Sequence, residues 1–352
     1  CLAERKLSGR HKLRREVLQM AKVRLADIAA QVGVSTVTVH NALTGQKGVS
    51  DELRARIQKV AGEMGYRPVS AARRQERSRM LKSIGVLIHE KYLAEYTTFY
   101  WKMYQELALV ATDKNCMAAV EILKHDMEDH QILPRMVEEN QVEGLIVMGE
   151  ISKDYIHFMK EQTKLPIIFL DFYDKELSED AVIADNFYGM YLLTEYLFER
   201  GYQKLAYVGS IHRTSSIMDR YCGFYKALLE HGEELPAEWL IEDRDRTGNV
   251  EFSVPEKLPE AFVCNCDLTA GILMIKLEEM GYKIPGDVAV IGFDNFLYPG
   301  FPDKKITTYE VNTRSMVKIA LEKVMKRLKN PSSGRGLNVV SGQIIEKESV
   351  GN

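Results

Sequence analysis

The chain has 352 residues, 45% hydrophobic and 28% charged, which is too long for one ordinary core and fits a globular protein of two or three domains. Its best apolar runs, GLIVM and PIIFL, are strand-sized and far short of the roughly 20 residues of a membrane-spanning helix, so no membrane partner is expected. The net charge of -3 hides an asymmetry: residues 1–82 hold 18 Lys and Arg against 7 Asp and Glu, a balance of +11, while the remainder holds 29 against 43, a balance of -14.

A basic head on an acidic body points to a polyanion partner for the head alone. Five cysteines in so long a chain make no disulfide framework. The C-x-C of Cys264 and Cys266 has no second Cys pair or H-x-x-x-H nearby, so no metal is expected there.

Residues 1–22 show no pattern continuous with the rest of the chain and are expected to be an unstructured extension. Residues 23–68 carry three short helical patterns separated by glycine-bearing turns. The first two lie in RLADIAAQVGVSTVTVHNALTG, where Ile28, Ala29, Val34, Val39 and Leu43 form a small inward face. Gly33 permits a tight turn between steeply crossing helices, and Ser35 is placed to cap the second one. That helix then spends Thr36, Val37, Thr38, His40 and Asn41 on short or polar side chains at its exposed side. Such a surface lets a helix backbone approach the DNA major groove, with hydroxyls and amides to meet phosphates and base edges. The third pattern, SDELRARIQKVAGEMGY, has Ser50 as N-cap, acids in its first turn and Leu53, Ile57 and Val60 on one stripe, and Pro68 ends the unit. Residues 69–82, VSAARRQERSRMLK, are rich in Arg and poor in large apolar residues, as a linker or marginal helix would be.

From Ser83 the texture changes to alternating strands and helices. SIGVLI, CMAAVEIL, VEGLIVMG, PIIFLDF, KLAYVGS, AFVCNC and VAVIGFD are strand candidates, with amphipathic stretches such as GMYLLTEYLFERG between them. Near-continuous apolar strands alternating with helices indicate parallel sheets covered on both faces, and residues 83–352 suit two doubly wound subdomains better than one sheet. Ligands of such sheets sit beyond the carboxyl ends of strands. Polyols are held there by planar side chains that fork hydrogen bonds to adjacent hydroxyls, with an aromatic face against the ring. Candidates are His89, Glu90, Phe99, Tyr100 and Trp101 after the first strand, Asp219 and Arg220 after KLAYVGS, Cys266 and Asp267 after AFVCN, and Asp294 and Asn295 after VAVIGF. Arg220 can pair with Asp294 or with Asp185, and Asp267 can instead cap the helix it begins.

LADIAAQVGVSTVTVHNALTGQKGVSDELRARIQKVAGEMGYRP resembles the DNA-binding head of the lactose-repressor and galactose-repressor (LacI/GalR) family nearly position for position. SIGVLI, VEGLIVMG, DRYCGF, CNCDLTAG and IPGDVAVIGFDN resemble the same family's periplasmic-binding-protein-like core. The resemblance spans about residues 22–350 and implies a cytoplasmic, effector-controlled transcription factor, expected to be a repressor that binds double-stranded DNA at a near-palindromic operator as a homodimer. It implies no cofactor and no catalytic residue. Thr36, Val37 and Asn41 match base-reading positions, and Ser35, Thr38 and Thr44 match backbone-contacting ones. Asn41, which suits adenine, stands where many members have Arg, which favours guanine, and Arg24 replaces a common Thr. The segment PVSAARRQERSR matches the family's hinge helix, with Arg73, Arg74 and Arg77 expected on phosphates or in the groove. Gln75 takes the place of a Leu wedge there, which implies weaker DNA bending. Arg220 and Asp294 match ligand-gripping positions, while Cys266 replaces a frequent Asn and costs the usual sugar site one polar contact.

Two other readings compete. An exported solute receptor would suit Cys1 and the body, but not the head. For an enzyme on a doubly wound fold, the sequence offers no phosphate-binding glycine loop, no G-x-S-x-G and no H-E-x-x-H.

Overall fold

The computed structural model describes residues 23–44, 48–66, 82–93, 98–177, 179–245, 248–298 and 306–351. The extension 1–22 and most of the segment expected as hinge helix lie outside them. The chain divides into two units, Cys1–Leu81 and Lys82–Asn352.

The first unit holds helices α1 (Leu25–Val32), α2 (Thr36–Thr44) and α3 (Asp51–Glu63). Its core is small because its helices are short: Ile28, Ala29, Val32, Val39, Ala42, Ile57 and Ala61 are buried, with Val34, Leu43, Leu53 and Val60 packed around them. Gly33 ends α1 at φ 78°, a left-handed conformation that glycine adopts without a Cβ penalty. The turn it makes redirects the chain into α2. Ser50 Oγ accepts from Leu53 N–H at 3.4 Å and caps α3.

The second unit is α/β, with two sheets of six strands. Lobe 1 orders its strands β11-β5-β4-β3-β1-β2, all parallel: β1 (Lys82–His89), β2 (Cys116–Leu123), β3 (Gly144–Met148), β4 (Ile167–Leu170), β5 (Asp180–Ala184) and β11 (Leu337–Val340). Lobe 2 orders its strands β12-β10-β9-β8-β6-β7: β6 (Leu205–Val208), β7 (Leu240–Ile241), β8 (Ala261–Cys264), β9 (Ala289–Asp294), β10 (Thr307–Glu310) and β12 (Gln343–Ile345). Here the all-parallel expectation fails at one edge, where β12 pairs antiparallel with β10 because the chain returns from lobe 1 through the short turn after β11. The apolar strands follow from burial on both faces: Ile84, Val86 and Ile88 of β1 join one core and Leu87 another.

The helices of lobe 1 are α4 (Phe99–Asp113), the short α5 (His125–Asp129) and α6 (Arg135–Glu138), α7 (Lys153–Gln162) and α11 (Thr313–Lys329). Those of lobe 2 are α8 (Asn186–Glu199), α9 (Ser215–His231) and α10 (Asp267–Glu279). The chain crosses between lobes three times, from β5 to α8, from β10 to α11 and from β11 to β12. Asp180, buried at the start of β5, ties the returning segment down: it accepts from Lys323 Nζ at 2.9 Å, Arg327 Nε at 2.8 Å and Gly336 N–H at 3.0 Å.

Helices α8 and α9 approach closely at Gly223, where a β-carbon would lie 2.0 Å from Phe187 O. Gly223→Ala is therefore expected to push the helices apart and cost about 1–3 kcal/mol of core stability. Urea unfolding monitored by circular dichroism measures this, and a loss under about 0.5 kcal/mol would show that the helices yield freely.

Candidate functional site

The residues expected to read DNA lie mostly on α2. Ser35 Oγ accepts from Thr38 N–H at 3.1 Å and shares a hydrogen bond of 2.8 Å with Thr38 Oγ1, so these two hydroxyls fix the helix start. Thr36, Val37 and His40 are exposed, and Thr38 and Asn41 half-buried. Val37 is 66% exposed, an apolar side chain held out in water on a helix whose other face is fully buried. Arg54 of α3 donates from Nη1 to Asn41 O and Ala42 O, at 3.2 and 3.0 Å, and so satisfies carbonyls that the end of α2 leaves unpaired. Arg24 is exposed at the start of α1, where its N–H donates to Asp27 Oδ2. The side chain of Thr44 and the residues Arg73, Arg74, Gln75 and Arg77 lie outside the described residues.

In the second unit the ends of β3 and β4 in lobe 1 face the starts of α8 and α9 and the end of β9 in lobe 2. Arg220 of α9 is the centre. Its Nε donates to Asn186 Oδ1 at 2.8 Å, its Nη1 to Asn265 O at 2.6 Å, and its Nη2 stands 3.1 Å from Asp294 Oδ1. The guanidinium also lies 3.9 Å from the centre of the Phe293 ring. Burial works against its charge, but Asp294 and Asp171 outweigh burial and keep it protonated. Burial likewise raises the Asp294 carboxyl to about 6, with Arg220 pulling the other way. Asp171 follows the same pattern, raised by burial against the pull of Arg220.

Both acids end central strands in backbone that favours glycine, with φ of 70° at Asp171 and 104° at Asp294. Strain of roughly 1–3 kcal/mol at each is tolerated where the surroundings force it, commonly at ligand sites. Asp171 Oδ2 accepts from Tyr100 Oη at 2.8 Å, while its buried Oδ1 and the buried Nδ2 of Asn186 have no hydrogen-bond partner. These are an acceptor and a donor available to a polar ligand. Tyr92 and Tyr100, 4.6 Å apart, and Phe99 against Phe296, 6.4 Å apart, supply aromatic faces.

The sequence candidates divide on this geometry. Arg220, Asp294, Tyr100 and Phe99 come together. Cys266 is buried alongside them, its Sγ 3.7 Å from Arg244 Nη2, with burial raising the thiol. Asp267 neither caps α10 through its side chain nor meets Arg220: Cys266 occupies the N-cap position, and Asp267 Oδ2 accepts from Phe296 N–H at 2.8 Å. Asp185 caps α8 by accepting from Tyr188 N–H, and its neighbour Asn186 takes Arg220 instead. Glu90 is exposed and accepts from His125 N–H. His89 turns toward α5, where its Nε2 lies 3.1 Å from Glu128. His89, His125 and Glu128 gather their ligand atoms within 4.8 Å of one another, a metal-like spacing. His89 Nδ1 accepts from Lys91 N–H, however, so the neutral ring carries its proton on Nε2 and has no lone pair there for a metal. Asp171 and Asn186 were reachable by the strand-end rule applied to β4 and β5.

Residues 24–69 match the family described as bacterial regulatory proteins, lacI family, and residues 194–350 match the periplasmic binding protein-like domain. The HTH-type transcriptional repressor PurR of Aliivibrio salmonicida is 24% identical over 332 residues, covering 93% of this chain and 98% of that protein. The ribose operon repressor of Haemophilus influenzae is 26% identical over 341 residues, with coverage of 93% and 98%. Among solved structures, the transcriptional regulator CelR in complex with cellobiose superposes with a TM-score of 0.64 at 18% identity, over 93% of this chain and 99% of that one. A lac repressor dimer bound to operator and the anti-inducer ONPF gives 0.62 at 19%, over 94% and 99%.

Proposed function

The chain belongs to the LacI/GalR family of DNA-binding transcriptional repressors under small-molecule control, and on that premise we propose that its effector is a sugar or sugar-like polyol held around Arg220 between the two lobes. The observation that carries the ligand class is the set of planar polar groups at one place: Arg220, Asp171, Asp294 and Asn186 beside the rings of Tyr100 and Phe99, with an acceptor and a donor still open. The CelR structure contains cellobiose, which supports a carbohydrate in a fold of this kind. In this proposal the protein acts in the cytoplasm as a homodimer, because one head reads one half-site and a near-palindromic operator needs two. The effector alters operator affinity by binding the arrangements of the two lobes unequally. An exported receptor is disfavoured by the head, and no helix among the described residues is long and apolar enough to cross a membrane.

Selection of bound DNA from a random library by the full chain at moderate salt tests the DNA reading. A two-fold symmetric site is expected. Binding without enrichment, seen only at low salt, would reduce the head to phosphate attraction. Asn41→Ala is expected to relax discrimination at one position per half-site and weaken the selected site by about 1–3 kcal/mol per bidentate contact, with nonspecific binding unchanged. Fluorescence anisotropy on selected and scrambled duplexes measures both.

A further inference from the structure

We propose that Glu150 and the N-terminus of α9 form a latch that joins the two lobes without an effector. Glu150 leaves the end of β3 in lobe 1, and its Oε2 accepts from Ser215 N–H of lobe 2 at 3.1 Å and lies 3.4 Å from Ser215 Oγ. Ser215 is the first residue of a 17-residue helix capped by Thr214. The carboxylate thus takes one of the N–H groups that a helix start leaves unpaired, at the positive end of the helix dipole. The loop that carries it is held in turn, since Tyr92 Oη donates to Glu150 O at 2.8 Å and the Tyr92 ring packs on Tyr100. A second bond between lobes runs from Tyr173 Oη, after β4, to Asp219 one turn into α9, at 3.0 and 3.2 Å to the two carboxylate oxygens.

An effector shifts lobe arrangement only by the difference in its affinity for the two arrangements. A bond within the chain sets the population from which that shift starts. The latch also places a negative charge where an anionic group of an effector would meet the helix, so effectors with a phosphate or carboxylate at that position face like charge.

Ser215 offers a variant that cuts the latch from the other side. Proline at the first helical position lacks an N–H that the helix does not need, and Thr214, at φ -146° and ψ 157°, already has the extended backbone that a residue before proline requires. Thr214 Oγ1 keeps its cap on Ile217 N–H. The test is hydrogen–deuterium exchange by mass spectrometry on the full chain, without DNA or effector, comparing the parent with Glu150→Ala and with Ser215→Pro. Both variants are expected to accelerate exchange of segments 150–152 and 171–177 about tenfold, with the strands β1 and β9 unchanged. Unchanged exchange in either variant overturns the latch, because each removes one half of the same bond; acceleration that extends to β1 and β9 is general destabilisation and overturns it too. The latch depends on the effector reading only for its regulatory meaning. Neither DNA nor effector enters the measurement, so its failure stays distinct from a failure to find an operator or a ligand.

Discussion

Replacing Asp267 with Asn is expected to stabilise the core by an amount that grows from nearly nothing at about pH 4 to several kcal/mol at about pH 8. Asp267 is buried at the first turn of α10, and burial, reinforced by the neighbouring Asp294, lifts its carboxyl to about 8. An unfolded chain releases that proton near pH ~4. Between these values the folded state keeps a proton that the unfolded state has lost, so the unfolded state gains relative to it as pH rises. A displacement of about 4 units corresponds to roughly 5 kcal/mol, an upper figure for a group whose surroundings relax. Asparagine has no proton to release. It retains an acceptor for Phe296 N–H and offers an N–H beside the Thr308 hydroxyl, so the hydrogen bonding survives. Chemical unfolding of parent and variant at several pH values between about 5 and about 8 measures the difference, which cancels titrations common to both. A difference that stays flat with pH would mean that Asp267 is ionised in the folded protein.

Arg220→Met is the second large effect, in the opposite direction. Removing the guanidinium leaves Asp171 buried without a countercharge and Asp294 with only the weaker pull of Arg244, and Asn186 Oδ1 and Asn265 O without their donor. Breaking a buried pair from one side costs about 3–5 kcal/mol, because the remaining charge keeps its desolvation penalty. Arg220→Lys is expected to recover little, since one ammonium on a flexible stem cannot serve three acceptors set around a planar fork. Adding Asp294→Asn to Arg220→Met should return part of the lost stability, as it removes one stranded charge. Urea unfolding of the three variants beside the parent checks the order. Equal stability of Arg220→Met and the parent would mean that the acids are already protonated and that the cation contributes binding alone.

Sequence patterning treats the residues behind these two effects alike. Arg220, Asp267 and Asp294 all stand past strand ends, and the strand-end rule ranks none above another. The structure separates them by direction: Asp267 turns back onto the Phe296 amide, while Arg220 and Asp294 face each other. His89 and Glu90 likewise follow a strand, yet the short helix after β2 draws both toward His125 and Glu128.

What the sequence determined by itself is what depends on period and local chemistry. The small inward face of α1 and α2, the glycine turn, the Ser35 and Ser50 caps and the continuous apolar strands each arise from residues within a few positions of one another, and all appear where patterning puts them. The edge strands β7, β11 and β12 carry no comparable run, because an edge strand buries less of itself, and β10, although buried between β9 and β12, reads as polar because two of its four residues are Thr. Only the tertiary structure decided the partners of the ionisable groups. The Arg220 cluster joins residues 34 to 74 positions apart, and Glu150 meets Ser215 across 65. Such contacts are set by how two sheets and three crossings bring distant strand ends together, and no local period encodes that.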